Sequence, residues 1–247
     1  MPKNYLYAFI MSFLAGLATN IGAIFIFKKK ENNILYKSFS FTIGVMLFVS
    51  IVDLIPSSIK LIINRGLTNI NITKLFIYIF IIIIIISLIN LFKTHSNKNK
   101  LYKIGIINML SIILHNIPEG IATFITSITN IKLGFNIFLS IMLHNIPEGI
   151  SIALPIYYST NNKKKAFTYT LISGLSEFIG SLLAYLFLLP IINDSIMAFL
   201  YILTAIIMIR ISFKEMMPIA LKSGYKCFII YFTLGLLVML LSHLLII

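Results

Sequence analysis

The chain has 247 residues, of which 59% are hydrophobic and only 11% are charged, and its mean hydropathy is +1.01. A soluble domain carries about 25% charged residues, so this composition excludes an ordinary soluble protein and indicates an integral membrane protein. The net charge of +13 does not indicate nucleic-acid binding, because the lysines form short clusters between apolar runs, where membrane proteins carry cytoplasmic anchors. The single cysteine, Cys227, excludes an intrachain disulfide and a cysteine-based metal site.

Eight apolar segments are each long enough for the roughly 20 residues that a helix needs to cross a bilayer. Their predicted bounds are 5–27, 38–63, 74–92, 104–128, 132–157, 167–189, 195–217 and 224–247. Continuous apolar runs such as 76–86 do not alternate as the strands of a membrane barrel do. The sequence therefore predicts an all-α integral membrane protein with eight transmembrane helices, and residues 1–247 form one transmembrane domain.

The basic residues are distributed unevenly between the two ends of these spans. Of the 20 basic residues, thirteen lie after spans one, three, five and seven and five lie at the opposite end; Arg210 and Lys214, near the inner end of span seven, are not counted and would strengthen the bias. The positive-inside rule therefore predicts that both termini are extracytoplasmic in a multi-pass protein of the plasma (inner) membrane. Lys28 to Lys30 follow the first segment without a cleavage site, which is typical of a retained span. The lysine clusters also make membrane lipid an expected partner.

Five of the seven acidic residues fall inside predicted spans. A carboxylate at the centre of a membrane costs roughly 2.5–3.5 kcal/mol on insertion scales. Such residues need partners, which a metal ion or an aqueous path supplies. The five are Asp53, Glu119, Glu148, Glu177 and Glu215.

The strongest internal signal is the hexapeptide His-Asn-Ile-Pro-Glu-Gly, which occurs at 115–120 and again at 144–149. Its His and Glu are four residues apart and so lie on one helical face, and the Asn lies about 100° round the helix from the His. The Pro removes a backbone hydrogen bond, and the Gly permits close helix approach. Antiparallel helices joined by a tight turn near 129–132 would present both copies to each other at mid-membrane.

Imidazole nitrogen and carboxylate oxygen together suit Zn²⁺, Fe²⁺ or Mn²⁺. The candidate metal ligands of the two copies are His115, Asn116, Glu119, His144, Asn145 and Glu148. A single buried His is more often a hydrogen-bonded core residue than a ligand. Two copies, each with a Glu and no neighbouring Lys or Arg, favour the metal site.

Span six adds Glu177, a candidate third carboxylate for the same site. The alternative is that the hydroxyl groups of Ser173 or Ser176 satisfy it.

In span two, Met46 lies seven residues before Asp53 on roughly the same helical face. Its thioether is a candidate soft ligand, although Met in an apolar helix usually serves packing.

Spans two and seven share the pattern acid-x-x-Pro, at 53–56 and 215–218. Transporters often contain inverted repeats related by a two-fold axis in the membrane plane. An arrangement of three, two and three spans would place span two opposite span seven, so that Asp53 and Glu215 line opposite mouths of one path. For Glu215 the alternative is an interfacial ion pair with Arg210 or Lys214.

The two remaining histidines carry weaker signals. His95 lies among lysines in a predicted cytoplasmic loop and is interpreted as solvated. His243, near the carboxyl terminus, is interpreted as interfacial.

Together, the paired hexapeptides, the Asp-x-x-Pro of span two, the Ser-Gly-x-x-Glu of span six and the Glu-x-x-Pro of span seven resemble the ZIP family of zinc and iron transporters. The chain is most similar to the bacterial, broad-specificity zinc-uptake branch, whose fifth span resembles 144–155 and whose first resembles 14–19. The resemblance covers nearly the whole chain.

The resemblance implies a binuclear metal centre between spans four and five, and uptake of metal into the cytoplasm. One metal would take His115, Glu119, His144 and Glu148, with Met46 as a further candidate. The second would take Asn116, Glu119, Asn145, Glu148 and Glu177, so that Glu119 and Glu148 bridge the two. Some family members are described as alternating-access carriers with elevator-like motion. Two departures from the family pattern are that Phe178 follows Glu177 where Pro is common, and that the His-rich loop is missing.

The preferred hypothesis is thus a carrier for divalent cations, with zinc first and iron, manganese and cadmium as further candidates. The cation is the transported substrate, and no cofactor is expected. The main alternative is an intramembrane metal-dependent hydrolase, although the His-Glu-x-x-His pattern is absent. A scaffold with a structural metal is a third hypothesis, and it leaves Asp53 and Glu215 unexplained. A homodimer is a candidate assembly that the sequence does not test.

Overall fold

The computed structural model describes residues 4–24, 32–63, 77, 81 and 100–246, and these ranges are helical apart from short turns. Three π-helical segments and one 3₁₀ turn interrupt or end the α-helices. The α-helices are α1 (Tyr5–Gly22), α2 (Asn32–Phe48), α3 (Ile55–Ile63), α4 (Lys100–Thr129), α5 (Ile131–Thr160), α6 (Lys163–Leu183), α7 (Asp194–Ile211), α8 (Met217–Ala220) and α9 (Tyr225–Ile246).

Seven helical stretches in the described ranges are long and apolar enough to cross a membrane. They agree with seven of the predicted spans, because α2 continues into α3, and α7 into α8, without leaving the helical path. The remaining predicted span, 74–92, lies outside the described residues except for Ile77 and Ile81, which are helical.

Asparagine residues make the sharp reversals between consecutive helices. Asn130 alone separates α4 from α5, and its side-chain oxygen accepts a hydrogen bond from the backbone N–H of Leu133 at 3.1 Å. Asn162 caps α6 in the same way through the N–H of Lys165 at 2.9 Å, and Asn161 before it adopts a left-handed backbone with φ 53°. These caps satisfy N–H groups that the first helical turn leaves without partners. The tight turn predicted between the motif-bearing helices is confirmed.

Each π-helical segment stops two residues before a proline. Val49–Leu54 precedes Pro56, Ala184–Leu188 precedes Pro190, and Ser212–Met216 precedes Pro218. A proline cannot donate to the carbonyl four residues back, and a π-turn, which bonds five residues apart, is one local solution. Both acid-x-x-Pro patterns therefore coincide with a local widening of the helix, and Asp53 and Glu215 lie within it.

The helices form two groups, and glycine contacts fix the packing inside each. In the central group, which consists of α1, α4, α5 and α6, Gly16 and Gly174 each approach the other's carbonyl oxygen. A Cβ atom at Gly120 would overlap the carbonyl oxygen of Glu177, and one at Gly149 would overlap that of Thr19. Small residues allow membrane helices to approach this closely.

The flanking group consists of α2, α3, α7, α8 and α9. Here Gly44 of α2 lies against the carbonyl oxygen of Phe232, and Gly235 of α9 lies against that of Phe41. Ser58 of α3 donates a 2.8 Å hydrogen bond to the carbonyl oxygen of Ala198 in α7. Every close glycine contact in the described ranges joins helices of the same group.

The close approach at Gly120 should be essential for stability. We expect Gly120→Ala to lower the free energy of unfolding by about 1–3 kcal/mol, because the added methyl group must displace backbone rather than a flexible side chain. The measurement is thermal unfolding of purified protein in detergent. Leu110→Ala on the same helix is the control, since its side chain is 43% exposed and should cost less than about 1 kcal/mol. Equal melting temperatures for the two variants would contradict the packing described.

Candidate metal site between the repeated motifs

The two hexapeptides face each other across α4 and α5, and each His pairs with the Glu of the other copy. The Nε2 atom of His115 lies 3.0 Å from Oε2 of Glu148. The Nε2 atom of His144 lies 3.6 Å from Oε1 of Glu119. All four side chains are at most 5% exposed. The predicted meeting of the two copies is confirmed, and it buries two imidazoles with two carboxylates.

The two motif asparagines are held by the neighbouring helices of the central group. The amide of Asn116 donates to the carbonyl oxygen of Ser173 in α6 at 3.2 Å. The amide of Asn145 donates to the carbonyl oxygen of Ala15 in α1 at 2.9 Å and to Oε2 of Glu177 at 2.8 Å. These bonds fix the amide groups and leave both side-chain carbonyl oxygens without a hydrogen-bond donor.

Glu177 therefore belongs to the same buried cluster, as predicted from its position. Its side chain is fully buried. Ser176 does not satisfy it, because the Ser176 hydroxyl donates to the carbonyl oxygen of Ser173 at 2.5 Å, and the Ser173 hydroxyl has no hydrogen-bond partner. The alternative in which these serines neutralise Glu177 is wrong.

Six buried oxygen atoms of this cluster have no hydrogen-bond donor. They are Asn116 Oδ1, Glu119 Oε1 and Oε2, Asn145 Oδ1, Glu148 Oε1 and Glu177 Oε1. Buried polar oxygens without donors are unfavourable, and both oxygens of Glu119 are in this state. Bound divalent cations would supply partners for such acceptors, since carboxylate and amide oxygens are metal ligands.

The side chains of the cluster pair with one another and do not point at one common position. Across the described ranges, no three His, Cys, Asp or Glu side chains converge closely enough to hold a metal. Binding of a cation would therefore exchange the His–Glu pairs for metal–ligand bonds.

A cavity of about 290 Å³ opens beside this cluster, between the two helix groups. Its lining includes the buried Glu119 and His144 and the partly exposed Asp53 and His243. Apolar side chains such as Leu133 and Ile137 line it as well, together with the polar residues Ser57, Asn136, Ser140 and Tyr201. The Nδ1 atom of His243 lies 2.6 Å from Oδ1 of Asp53. The cavity, whose wall is mainly apolar between these polar groups, extends from Glu119 toward the end of the molecule where α5 begins.

The interpretation of His243 as merely interfacial is incomplete, because it pairs with Asp53 in the cavity. Its partner lies 190 residues away in sequence, so no local spacing reveals the pair. The available signal was topological: the ends of spans two and eight were predicted at the same membrane face, and they carry the acid Asp53 and the imidazole His243.

Two other candidate residues lie away from the cluster. Met46 is fully buried in an apolar cluster of the flanking group, and its Sδ atom accepts a hydrogen bond from the Ser212 hydroxyl at 3.9 Å. Glu215 lies with Oε1 3.9 Å from Nη2 of Arg210, so the ion pair considered as its alternative is present. Both remain predictions as parts of a metal path.

Comparisons with known proteins match most of the chain, and some relatives match nearly all of it. The family model described as ZIP Zinc transporter matches residues 92–243. The zinc transporter ZupT of Streptococcus mutans is 35% identical over 263 residues, covering 99% of each chain. The protein of the same name from Clostridium perfringens is 36% identical, covering 98% of this chain and 97% of its own. The one from Oceanobacillus iheyensis is 37% identical, covering 89% and 90% respectively.

The matched region of the family model contains both hexapeptides and Glu177, and the relatives extend the likeness to α1 and α2. With its apolar helices, paired motifs and full-length relatives, the chain belongs to the ZIP family of zinc transporters.

Proposed function

We propose that this protein carries divalent cations, zinc first, across the plasma membrane into the cytoplasm through the buried site between α4, α5 and α6. The observation that carries the proposal is the set of six buried oxygens without donors. The zinc preference follows the names of the relatives, and the ligand set also accepts iron, manganese and cadmium. Because the family is one of transporters, the hydrolase alternative is not retained.

The site would hold two metal ions. The first would be bound by His115, Glu119, His144 and Glu148, with Met46 as a further candidate after a rearrangement of α2. The second would be bound by the set Asn116, Glu119, Asn145, Glu148 and Glu177. The separate anchoring of Asn116 and Asn145 by the Ser173 and Ala15 carbonyl oxygens supports the second site, because it directs both amide oxygens away from those anchors.

The path would begin at the cavity and pass between the two helix groups. Asp53 and His243 lie at its start, where a carboxylate attracts a hydrated cation, and the carboxylates of the site would offset the dehydration that follows. Glu215 would lie on the second half of the path, where its ion pair with Arg210 would have to open for a cation to pass. No ATP-binding motif is evident in the sequence, so the gradient and the membrane potential, roughly 2.3 kcal/mol per charge per 100 mV, would drive entry.

Eight spans in a 3+2+3 arrangement with an inverted repeat remain part of this proposal. The end of α3, at Ile63, lies near the start of α7, because Ser58 of α3 donates a hydrogen bond to Ala198 of α7. The next described helix, α4, begins with Lys100 at the opposite end of the molecule. The chain would therefore cross once more between them. The matching π-segments before Pro56 and Pro218 support a repeat that relates span two to span seven.

Flux through the site should depend on both motif glutamates. We expect Glu119→Ala and Glu148→Ala each to reduce Zn²⁺ influx into liposomes at least tenfold, because each substitution removes a ligand shared by both metals. Influx of Zn²⁺, Fe²⁺, Mn²⁺ and Cd²⁺ is measured with a fluorescent indicator inside the vesicles. Asp194→Asn is the matched control, since this exposed carboxylate lies at the start of α7. Wild-type flux in either Glu variant would refute the site.

The number of bound metals separates one centre from two. We expect purified wild-type protein to bind two Zn²⁺ ions and Glu177→Ala to bind one, because Glu177 contributes to the second centre alone. Binding is measured by equilibrium dialysis with elemental analysis, and Asp194→Asn again serves as the control. A single ion in the wild type would contradict the binuclear assignment.

The orientation can be tested with the native thiol. Cys227 is partly exposed at the start of α9, near Lys222 and Lys226, so it should face the cytoplasm. We expect a membrane-impermeant maleimide to leave Cys227 unlabelled in intact cells and to label it in permeabilised cells. Ser140→Cys in a Cys227→Ser background, placed in the cavity, should label in intact cells. The reverse pattern would invert the proposed topology.

A further inference from the structure

The interface between the two helix groups is open on one side of the metal site and closed on the other. On the open side, the cavity separates Asp53, Tyr201 and His243 of the flanking group from Glu119 and His144 of the central group. On the other side, Ile150, Leu154 and Tyr158 of α5 pack into an apolar cluster with α2, α7 and α8. Within the described parts of the chain, the site is therefore open toward the cavity end and covered by side chains on the other side.

The closed side is joined by a buried hydrogen bond between the groups. The hydroxyl of Thr42 in α2 donates to the backbone carbonyl oxygen of Pro147 at 3.1 Å. Thr42 is fully buried, and Pro147 belongs to the second hexapeptide, next to Glu148. The bond thus connects the flanking group directly to the backbone that carries a predicted metal ligand.

The contacts around this bond differ in kind from those inside each group. Inside a group, glycines bring backbones together so closely that an added Cβ would overlap a carbonyl oxygen. Around Thr42, the contact between groups consists of side chains such as Ile43, Ile150 and Leu154, which pack as an apolar cluster. Apolar side-chain contacts have little directional preference, so they permit sliding more easily than interlocked backbones do. A directional hydrogen bond fixes one register of such an interface.

The end of the molecule where α4 and α6 begin, at Lys100 and Lys163, is called the lysine-rich end. We propose that the Thr42 hydroxyl is a latch: its bond to the Pro147 carbonyl oxygen stabilises the conformation open at the cavity end over one open at the lysine-rich end. The proposal rests on the proposed transport function, in which the site must at some point communicate with the second end. Opening there requires the α5 residues of the apolar cluster to separate from α2, and the latch must then break.

Removal of the hydroxyl should shift the balance between the two conformations. Thr42→Val keeps the shape of the side chain. We expect it to raise the population open at the lysine-rich end about fivefold relative to the population open at the cavity end, because it removes one buried hydrogen bond from the latter. Two single-cysteine reporters in a Cys227→Ser background follow the change. Ser140→Cys reports on the cavity, and Leu154→Cys reports on the closed side, where Leu154 is 1% exposed.

The measurement is the rate of maleimide labelling of each reporter in detergent, where both ends are accessible. In Thr42→Val the Leu154→Cys reporter should label about fivefold faster and the Ser140→Cys reporter more slowly, whereas Thr42→Ser, which keeps the hydroxyl, should label like the wild type. Unchanged rates in Thr42→Val, or equal acceleration of both reporters, would overturn the latch.

Thr42→Ala is a second variant if Thr42→Val does not yield folded protein, as judged by size-exclusion chromatography. Labelling does not require metal flux, so absence of zinc influx in the wild type would refute the proposed function and leave this test intact.

Discussion

Burial of three carboxylates inside the central helix group is the constraint that the rest of the structure has to satisfy. Glu119, Glu148 and Glu177 lie in a medium that cannot solvate ionised carboxylates, and imidazoles pair with only two of them. The glycines of α1, α4, α5 and α6 bring the four backbones close enough for carbonyl oxygens to anchor the motif asparagines. The amide N–H groups of Asn116 and Asn145 are thus used to orient these side chains, and the amide oxygens stay available to bind a cation. The stability of the fold and its affinity for a cation are opposed here. A donor that formed a hydrogen bond with one of these oxygens would stabilise the fold but would remove a metal ligand.

Much of this arrangement is readable from sequence because it depends on local spacing. His and Glu four residues apart define one helical face, and two copies 29 residues apart define two adjacent helices, so the meeting of 115–120 with 144–149 follows from short-range geometry. The exchange of partners, His115 with Glu148 and His144 with Glu119, depends on the rotation of α4 against α5 and could not be derived from spacing. The capture of Glu177 by Asn145 and the pairing of His243 with Asp53 are long-range contacts for which a single sequence contains only a topological hint.

The two helix groups divide two physical tasks between them. The central group contains the polar cluster and is locked by backbone contacts, so its ligands keep their mutual positions. The flanking group presents an apolar surface on one side of the site and, on the other, a cavity wall that includes the polar residues Asp53 and Tyr201. A cation bound in the central group would therefore meet different surroundings on its two sides without any change in its own coordination. This asymmetry is what a carrier needs in order to bind on one side and release on the other.

The π-helical segments have a consequence for how faces are assigned along α2 and α3. A π-turn accommodates an additional residue, so the helix beyond it is out of phase with the helix before it by roughly 100°. Residues 42–50 are buried, whereas Ile51 and Val52 are exposed inside the segment. A helical wheel drawn with one constant period from Asn32 to Ile63 would therefore assign lipid-facing and protein-facing positions correctly on only one side of Asp53. The widened turn also means that one continuous helix can present an apolar stripe to α5 in its first half and a carboxylate to the cavity in its second.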